Sequence, residues 1–241
     1  MRPRSKAHAT PRPRVRRGNL DDAERLRTEL IAAARRLYSE GGLAAVSVRA
    51  VAARVGVSPM STYRYFADKA ELLAGLWQSV FDELYEVALQ ALVGVQGARQ
   101  RHRVFAETVM HYWETHLDNF CLVQGFTSLG QDRQAKSQLA GDAVYGKLRQ
   151  LGVEVTEALA REVGGDAAQA RIASEVRLAM TLGYLHGTLV TTRYPWSDRR
   201  TLRAVYLEQI ERAVEDCLRG GAPAPAAPVK RRLRAAAGGA Y

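Results

Sequence analysis

Four polar or basic side chains follow Gly56 in this 241-residue chain, at Ser58, Ser61, Thr62 and Arg64. Hydroxyl and guanidinium groups on one short helix are suited to reach base edges when that helix lies in the major groove of DNA. The free N–H groups at the start of such a helix could also receive a phosphate. The chemistry that these residue types indicate is recognition of a polyanion, not bond making or breaking.

Basic residues are concentrated at the two ends of the chain. Residues 1–66 contain 14 Lys and Arg against 5 Asp and Glu, whereas residues 67–229 contain 17 against 20. Residues 230–241 add four basic residues and no acid. A basic head on a slightly acidic body predicts a polyanionic partner for the head. Charge alone leaves an anionic membrane surface open as the alternative to nucleic acid.

A first helix is predicted to support this segment, beginning near Asp21, because acidic side chains favour the positive end of a helix dipole. The pair Gly41-Gly42 is predicted to end it, since glycine tolerates the left-handed backbone of a helix C-cap. One apolar stripe, with residues spaced by three and four, consists of Leu26, Leu30, Ala34 and Leu37.

Capping residues predict two short helices joined by a tight turn at Gly56, which is a helix-turn-helix. Ser47 is predicted to cap the second helix and Ser58 the third, where Pro59 takes the first helical position and needs no N–H partner. Asp68, followed three residues later by glutamate, predicts the capped start of a long fourth helix. The side chains predicted to face inward from the second helix are Val48, Val51, Ala52 and Val55.

The remainder of the chain has helical apolar spacing and no segment with clear strand alternation. Further helices are predicted at about 98–118, 134–163, 167–192 and 199–218. The predicted fold is all-α, with an N-terminal three-helix helix-turn-helix head on a larger helical ligand-binding and dimerisation domain. The predicted domains are a disordered basic arm (1–18), a helix-turn-helix domain (19–66), a regulatory and dimerisation domain (67–219) and a flexible basic tail (220–241).

The segment after Ser47 carries three motifs in order: Ala52-x-x-x-Gly56-Val57-Ser58, Thr62-Tyr63-x-Tyr65-Phe66 and the pair Asp68-Lys69. With its capped second helix, this series resembles the DNA-binding head of the TetR family of bacterial transcriptional regulators, over about residues 22–75. The resemblance places Val57 and Phe66 in the core. Thr62 departs from the pattern, because the family usually has a larger aliphatic residue at this position.

The resemblance implies roles for individual residues of the head. Arg49 matches a position that reaches a base or phosphate, Arg64 is expected to donate a bidentate pair to guanine, and Met60 to contact a thymine methyl group. Tyr63 and Lys69 match phosphate-binding positions. The predicted DNA-binding residues are Arg49, Ser58, Pro59, Met60, Ser61, Tyr63, Arg64, Tyr65 and Lys69.

The resemblance also implies that the residues beyond about 75 enclose a small-molecule effector and pair with a second copy of the chain, so that a dimer binds a palindromic operator. The predicted pocket residues, which suit an apolar or aromatic effector, are Trp77, Phe81, Tyr85, Met110, His111, Trp113, Phe120, Met180, Tyr184 and His186. The last two helices are predicted to form a four-helix bundle with their copies through Leu178, Leu182, Leu185, Leu189, Val205, Ile210, Val214 and Leu218.

The sequence lacks the complete motifs that nucleotide binding, metal binding and triad catalysis require. Residues 141–147 match GxxxxGK, but Leu148 follows where a phosphate-binding loop has Ser or Thr, so no nucleotide is predicted. Glu107, His111 and Glu114 share a helical face without an HExxH motif or a cysteine partner, so no metal or other cofactor is predicted. Five scattered histidines support no catalytic triad, and the chain is predicted not to be an enzyme.

Composition predicts a cytoplasmic protein without membrane contact. The two cysteines lack CxxC spacing and suit a reducing cytosol. No uncharged apolar run approaches the roughly 18 residues of a membrane span. The expected function is a ligand-released repressor; an activator, a helical enzyme and a sequence-blind DNA-binding protein are the alternatives left open.

Overall fold

A computed structural model of the chain describes residues 17–128, 142–191, 194–196 and 198–220. No strand occurs among these residues, which are mostly helical, and the predicted all-α fold is confirmed. The predicted basic arm and basic tail lie almost entirely outside the described residues. The helices are α1 (Arg17–Ala45), α2 (Val48–Val55), α3 (Pro59–Tyr63), α4 (Lys69–Ala91), α5 (Ala98–Thr115), α6 (Leu117–Ser128), α7 (Asp142–Val163), α8 (Ala167–Leu185) and α9 (Arg199–Leu218).

The chain divides into two compact units. Among the described residues, the first unit comprises 17–80, 121–128 and 142–144, and the second comprises 81–120, 145–191, 194–196 and 198–220. The predicted domain boundaries stay a prediction. Within the described ranges, no helix has both the length and the apolar character that crossing a bilayer requires.

α1 begins at Arg17, slightly before the predicted start, and its regular turns end at the two glycines as predicted. Gly41 has φ −148° and Gly42 has φ 63°, so both leave the helical region before the chain resumes towards Ala45. Residues other than glycine rarely adopt the positive φ of Gly42. Of the predicted stripe, Leu30, Ala34 and Leu37 are buried and Leu26 is half-buried.

The caps predicted for α2 and α3 are confirmed. The hydroxyls of Ser47 and Ser58 each accept the backbone N–H three residues later, at 3.1 Å in both cases. Gly56 ends α2 in the left-handed region, with φ 80°, and its N–H donates to the carbonyl of Ala52 at 2.9 Å. Two short helices are therefore joined by the predicted tight turn. Of the predicted inward side chains, Val48, Val51 and Ala52 are buried and Val55 is half-buried.

α4 begins with the predicted acidic cap, although the reciprocal bond differs from a standard capping box. Asp68 Oδ1 accepts the N–H of Glu71 at 2.8 Å. Glu71 Oε2 accepts the N–H of Ala67 at 2.6 Å, where a capping box uses the N–H of the cap residue itself. Both bonds satisfy N–H groups at the entry to the helix.

One predicted helix is interrupted. A single helix is predicted over about 98–118, but His116 separates α5 from α6 with non-helical φ −122° and ψ 59°. Its ring stacks on Tyr112 with centroids 4.3 Å apart, and its Nδ1 lies 2.9 Å from the Tyr112 carbonyl oxygen. These contacts accompany the non-helical conformation of His116.

The three remaining predicted helices correspond to α7, α8 and α9. Residues 134–141 of the predicted helix over 134–163 lie outside the described residues. Gly146 and Lys147 lie inside α7 and not in a loop, and Lys147 Nζ donates to Asp82 at 3.2 Å. α8 continues into a π-helical turn, His186–Val190, which the apolar spacing does not predict.

The second unit contains a well-defined apolar cluster. Its buried side chains come from α4, α5 and α7, and from the residue that follows α4. The cluster comprises Ala88, Leu92, Phe105, Leu151 and Val155, and Tyr85, Val104, Val109 and Leu148 pack against it.

Candidate nucleic-acid interface

α3 presents one side to solvent and the other to the interior of the first unit. Met60 is 74% exposed and Tyr63 is 44% exposed, and Arg64 at the end of the helix is also exposed. Thr62 and Phe66 are almost completely buried. The side chains predicted to reach base edges therefore project from a helix that is anchored from behind, as reading a groove requires.

The other predicted contact residues of α2 and α3 differ in exposure. Arg49, Ser58 and Pro59 are exposed, whereas Ser61 and Tyr65 are half-buried. The hydroxyls of Ser58 and Ser61 lie 2.9 Å apart and form a hydrogen bond. Because a hydroxyl can both donate and accept, this bond leaves capacity for a phosphate or base.

Lys69 has a partner within the protein. Its Nζ donates to the carbonyl of Leu43 at 3.1 Å, which ties the start of α4 to the residues after Gly42. An exposed ammonium group has further donors, so this bond does not exclude a phosphate contact. The predicted phosphate role of Lys69 is therefore combined with a structural one.

The arginines of the head differ in their charge environment. Arg54 donates two hydrogen bonds to Glu40, of 2.8 and 2.6 Å. The bond from Arg54 lowers the pKa of Glu40, and the bond to Glu40 raises the pKa of Arg54. Among the described residues, Arg49 and Arg64 have no carboxylate partner. Their charges are thus available to an anionic ligand.

Phe66 anchors the chain at the end of α3. Its side chain is 1% exposed, as predicted for a core residue, and the guanidinium carbon of Arg27 lies 5.3 Å from its ring centroid. A Cβ added to Gly75 would lie 2.9 Å from Cε1 of this ring. α4 can approach Phe66 this closely because position 75 carries no side chain. Val57, also predicted in the core, is half-buried.

Thr62 is completely buried, and its Oγ1 has no hydrogen-bond partner. Thr62→Val replaces an unpartnered hydroxyl by a methyl group of similar size. We expect this change to raise the free energy of unfolding by about 1 kcal/mol, because burying an unsatisfied polar group is unfavourable. Urea denaturation of the two proteins measures the difference.

Thr156→Val is the matched control for Thr62→Val. Thr156 is equally buried, but its Oγ1 donates to the Gly152 carbonyl at 2.8 Å and accepts from Arg177 at 3.3 Å. The same substitution should therefore lower stability at position 156. Equal effects at the two positions would contradict the role given to the Thr62 hydroxyl.

Four predicted pocket residues form a continuous chain of aromatic contacts in the second unit. Ring centroids of Phe81 and Trp113 lie 6.0 Å apart, those of Trp113 and Phe120 5.7 Å, and those of Phe120 and His186 5.4 Å. Tyr145, which the sequence prediction omits, extends the chain at 5.7 Å from Phe81. Tilted and edge-on rings of this kind contribute packing energy beyond their buried area.

Tyr184, another predicted pocket residue, belongs to a polar network. Its hydroxyl donates to Glu114 Oε1 at 2.7 Å, and Arg203 donates to Glu114 Oε2 at 2.7 Å. Burial, together with the bond to Glu114, raises the pKa of Tyr184. Glu114 therefore accepts hydrogen bonds from both Tyr184 and Arg203. In the described part of the chain, no group of three His, Cys, Asp or Glu side chains is placed to hold a metal ion.

The remaining predicted pocket residues have varied surroundings. Met110 is buried and Met180 half-buried, Trp77 is buried in the first unit, and Tyr85 packs against the apolar cluster. His111 is exposed and lines an open groove of about 510 Å³. The other residues that line this groove are Val87, Val104, Glu107, Thr108, Tyr112, Thr115, His116 and Arg203. The assignment of the pocket stays a prediction.

The predicted dimer face is wrong for half of its residues, which lie in the core of the single chain. Leu185, Ile210, Val214 and Leu218 are at most 1% exposed. Side chains that their own chain already covers cannot be the main contacts with a second copy. For Leu178 and Val205, which are 53% and 47% exposed, and for the half-buried Leu182 and Leu189, the dimer contact stays a prediction.

Sequence reasoning missed two buried polar residues of the second unit, Arg177 on α8 and His102 on α5. They are 6% and 1% exposed. Helical spacing contains a signal for Arg177, because it stands in the middle of the buried stripe of α8 where an apolar residue is expected. That stripe consists of Ala170, Ala173, Ser174, Arg177, Thr181, Tyr184 and Leu185.

Comparison with known proteins finds a family match within the head and one curated relative. Residues 30–76 match the family described as "Bacterial regulatory proteins, tetR family". The chain is 31% identical over 108 residues to the "HTH-type transcriptional activator FasR" of Mycolicibacterium smegmatis, a match that covers 45% of this chain. The matched region spans about half of that relative, 49% of its length.

Solved structures share the fold over most of the chain. A protein from Pseudomonas aeruginosa PAO1, solved as a candidate transcriptional regulator, is 23% identical with a TM-score of 0.62 and covers 82% of this chain and 92% of its own. A tetR-family regulatory protein from Rhodococcus RHA1 is 19% identical with a TM-score of 0.54 and covers 78% and 96%. The fatty acid degradation regulator FadR from Bacillus halodurans is 13% identical with a TM-score of 0.55 and covers 80% and 94%.

Proposed function

Through residues 30–76 the chain belongs to the TetR family of bacterial regulatory proteins, and from this premise we propose that it is a ligand-released repressor that binds a palindromic operator as a homodimer. DNA binding and regulation of transcription are the activities of this family. Repression, release by a ligand and the two-fold operator are the proposed refinements. In this proposal, α3 of each protomer lies in the major groove of one operator half-site.

The observation that carries the proposal is the exposure of Met60, Tyr63 and Arg64 on a short helix whose other side is buried. A helix that reads bases must present side chains that are not already used in folding. Arg64 has no carboxylate partner among the described residues, so its paired N–H donors can meet guanine O6 and N7. Arg49 and Lys69 add positive charge for phosphates.

Exposed apolar side chains on the last two helices support the dimer. Leu178 on α8 and Val205 on α9 are about half exposed, and Ile172 on α8 is 48% exposed. Exposed apolar side chains on a helix surface favour contact with another apolar surface. A second copy of the chain presents the same surface, and the symmetric contact would bring two heads to one operator.

Activation is the second candidate for the direction of regulation, because the relative from Mycolicibacterium smegmatis is named a transcriptional activator. The head determines which DNA sequence is bound, whereas the position of the operator relative to the promoter determines the sign. A reporter with the native promoter distinguishes the two: deletion of the gene raises expression under repression and lowers it under activation.

Selection of bound sequences from a random DNA pool tests the proposal. We expect a motif of two inverted half-sites, bound about 10³-fold more tightly than scrambled DNA at the same salt concentration. With Arg64→Ala, preference at one position per half-site should relax, with a loss of about 1–3 kcal/mol for the preferred base. With Lys69→Ala, all sequences should bind more weakly by a similar factor.

Arg54→Ala is the matched control in the same selection. Arg54 is an arginine of the same head, but Glu40 already holds its guanidinium. We expect the preferred motif to persist in this variant. A uniform weakening by Arg64→Ala would show that Arg64 contacts the backbone and not a base, and a motif without two-fold symmetry would contradict the dimer.

A further inference from the structure

Arg177 is a buried cation without a carboxylate partner in the described part of the chain. Its Nη1 donates to the Gly152 carbonyl at 3.1 Å and to Thr156 Oγ1 at 3.3 Å, and its Nη2 donates to Ser174 Oγ at 2.9 Å. All three acceptors are uncharged. A buried ion without a counter-ion is strongly unfavourable, so a guanidinium in this core needs a reason other than stability.

The core is shaped around this guanidinium. Its carbon lies 4.6 Å from the ring centroid of Phe105, and a Cβ added to Gly152 would lie 2.5 Å from Nη2. Only glycine at position 152 leaves this space. Burial lowers the pKa of Arg177 to about 10, so the group keeps its positive charge at neutral pH.

His102 provides a second polar group without a partner. It is 1% exposed, and its Nε2 has no hydrogen-bond partner. Burial, followed by the positive charge of Arg177, lowers the pKa of His102 to about 3. The imidazole is therefore neutral and can carry its one proton on Nε2, as a donor.

We infer that Arg177 and His102 form the anion-binding end of the effector site, and that the effector is an apolar carboxylic acid. A guanidinium has more N–H donors than its three bonds use, and a carboxylate accepts from such donors and from a neutral imidazole. The regulatory effect of this ligand rests on the proposed function, whereas its binding to the protein does not.

The apolar character of the ligand is inferred from Phe105. This residue contacts Arg177 and is also a member of the apolar cluster. The cluster also contains Leu151 and Val155, which are 7% and 3% exposed. An apolar chain or ring attached to the carboxylate would lie against these side chains. Because they are buried, the ligand has to displace some of them, and its binding therefore changes the packing of α5 and α7.

Thermal unfolding of the full chain tests the inference with two acids, octanoate and 4-phenylbutanoate, and with the neutral amide of each. At about 100 times its Kd, an acid that binds should raise Tm by roughly 5–10 °C. The amides have the same apolar part without the charge and should give no comparable shift. His102→Leu should weaken binding of the acid about tenfold, since it removes one donor.

Arg177→Met separates a binding role from a structural one. The variant keeps a side chain of similar length and removes the unpaired charge, so its Tm without ligand should equal or exceed that of the natural chain. The shift with either acid should disappear. A lower Tm in Arg177→Met, together with no shift of the natural chain by either acid, would establish a purely structural arginine and overturn the inference.

Two further outcomes decide against the inference. Equal shifts with an acid and its amide would exclude recognition of the charge, and an equal shift with inorganic phosphate would exclude recognition of the apolar part. Operator binding is measured separately. A chain that selects an operator but is shifted by neither acid disproves only this inference, whereas one that is shifted but selects no operator disproves only the proposed function.

Discussion

Gly75→Leu is expected to remove operator binding and to lower the free energy of unfolding by about 3 kcal/mol. Even a Cβ at this position would lie 2.9 Å from the Phe66 ring and 3.5 Å from Ile31 Cδ1, and leucine adds three more carbon atoms. The Phe66 ring has to move, and the backbone N–H of Phe66 donates to the carbonyl of Thr62 in α3. The side chains of Met60, Tyr63 and Arg64 would then change direction relative to the major groove of the DNA.

A graded series measures this effect. Gly75→Ala adds only the Cβ, and its steric cost is partly offset by the better helix propensity of alanine, so a smaller loss is expected. Gly183→Ala is the control, because a Cβ there meets nothing within 4 Å, and it should raise stability by up to about 1 kcal/mol. Full operator affinity in a folded Gly75→Leu protein would show that Phe66 does not position α3.

Acidification from pH 7 to pH 5 is expected to reduce the free energy of unfolding by about 2 kcal/mol through His102 alone. The folded-state pKa of His102 is about 3, below the value of 6.5 for a histidine in the unfolded chain. Below pH 6.5 the unfolded state therefore binds a proton that the folded state does not. Stability falls as the pH is lowered from 6.5 towards 3, by about 1.4 kcal/mol per pH unit.

Urea denaturation at several pH values, in buffers free of carboxylates, measures this dependence. His102→Gln should have a shallower decline of stability with acid, whatever its stability at pH 7. His111→Gln removes an exposed histidine from the same helix and should keep the decline of the natural chain. If the natural chain and His102→Gln lose stability in parallel, the neutral buried state of His102 is wrong.

Short-range signals explain why the head could be predicted closely. Ser47, Gly56 and Ser58 act within three or four residues of themselves, through caps and a left-handed turn, and the structure has each where the sequence indicates it. The same signals do not report tertiary contacts. The bond from Lys69 to the Leu43 carbonyl joins residues 26 apart, and no local pattern encodes it.

The body was less predictable because its contacts depend on which helices meet. Apolar spacing indicates that Leu185 and Ile210 avoid water, but not whether their own chain or a second copy covers them. The break falls at His116, whose ring stacks on Tyr112, and neither Gly nor Pro marks it in the sequence. Arg177 and His102 become buried only when α5, α7 and α8 pack together, and among the described residues no carboxylate pairs with Arg177.

Five residues are too few for α3 to stay helical in isolation, since helix nucleation is unfavourable and is repaid only over longer segments. The buried Thr62 and Phe66 and the Ser58 cap impose its shape, while Met60, Tyr63 and Arg64 contribute little to folding. Evolution can therefore change the DNA preference of this protein through outward side chains with small effects on stability. Conversely, a peptide with this sequence alone would inherit none of the recognition, because the scaffold supplies the conformation.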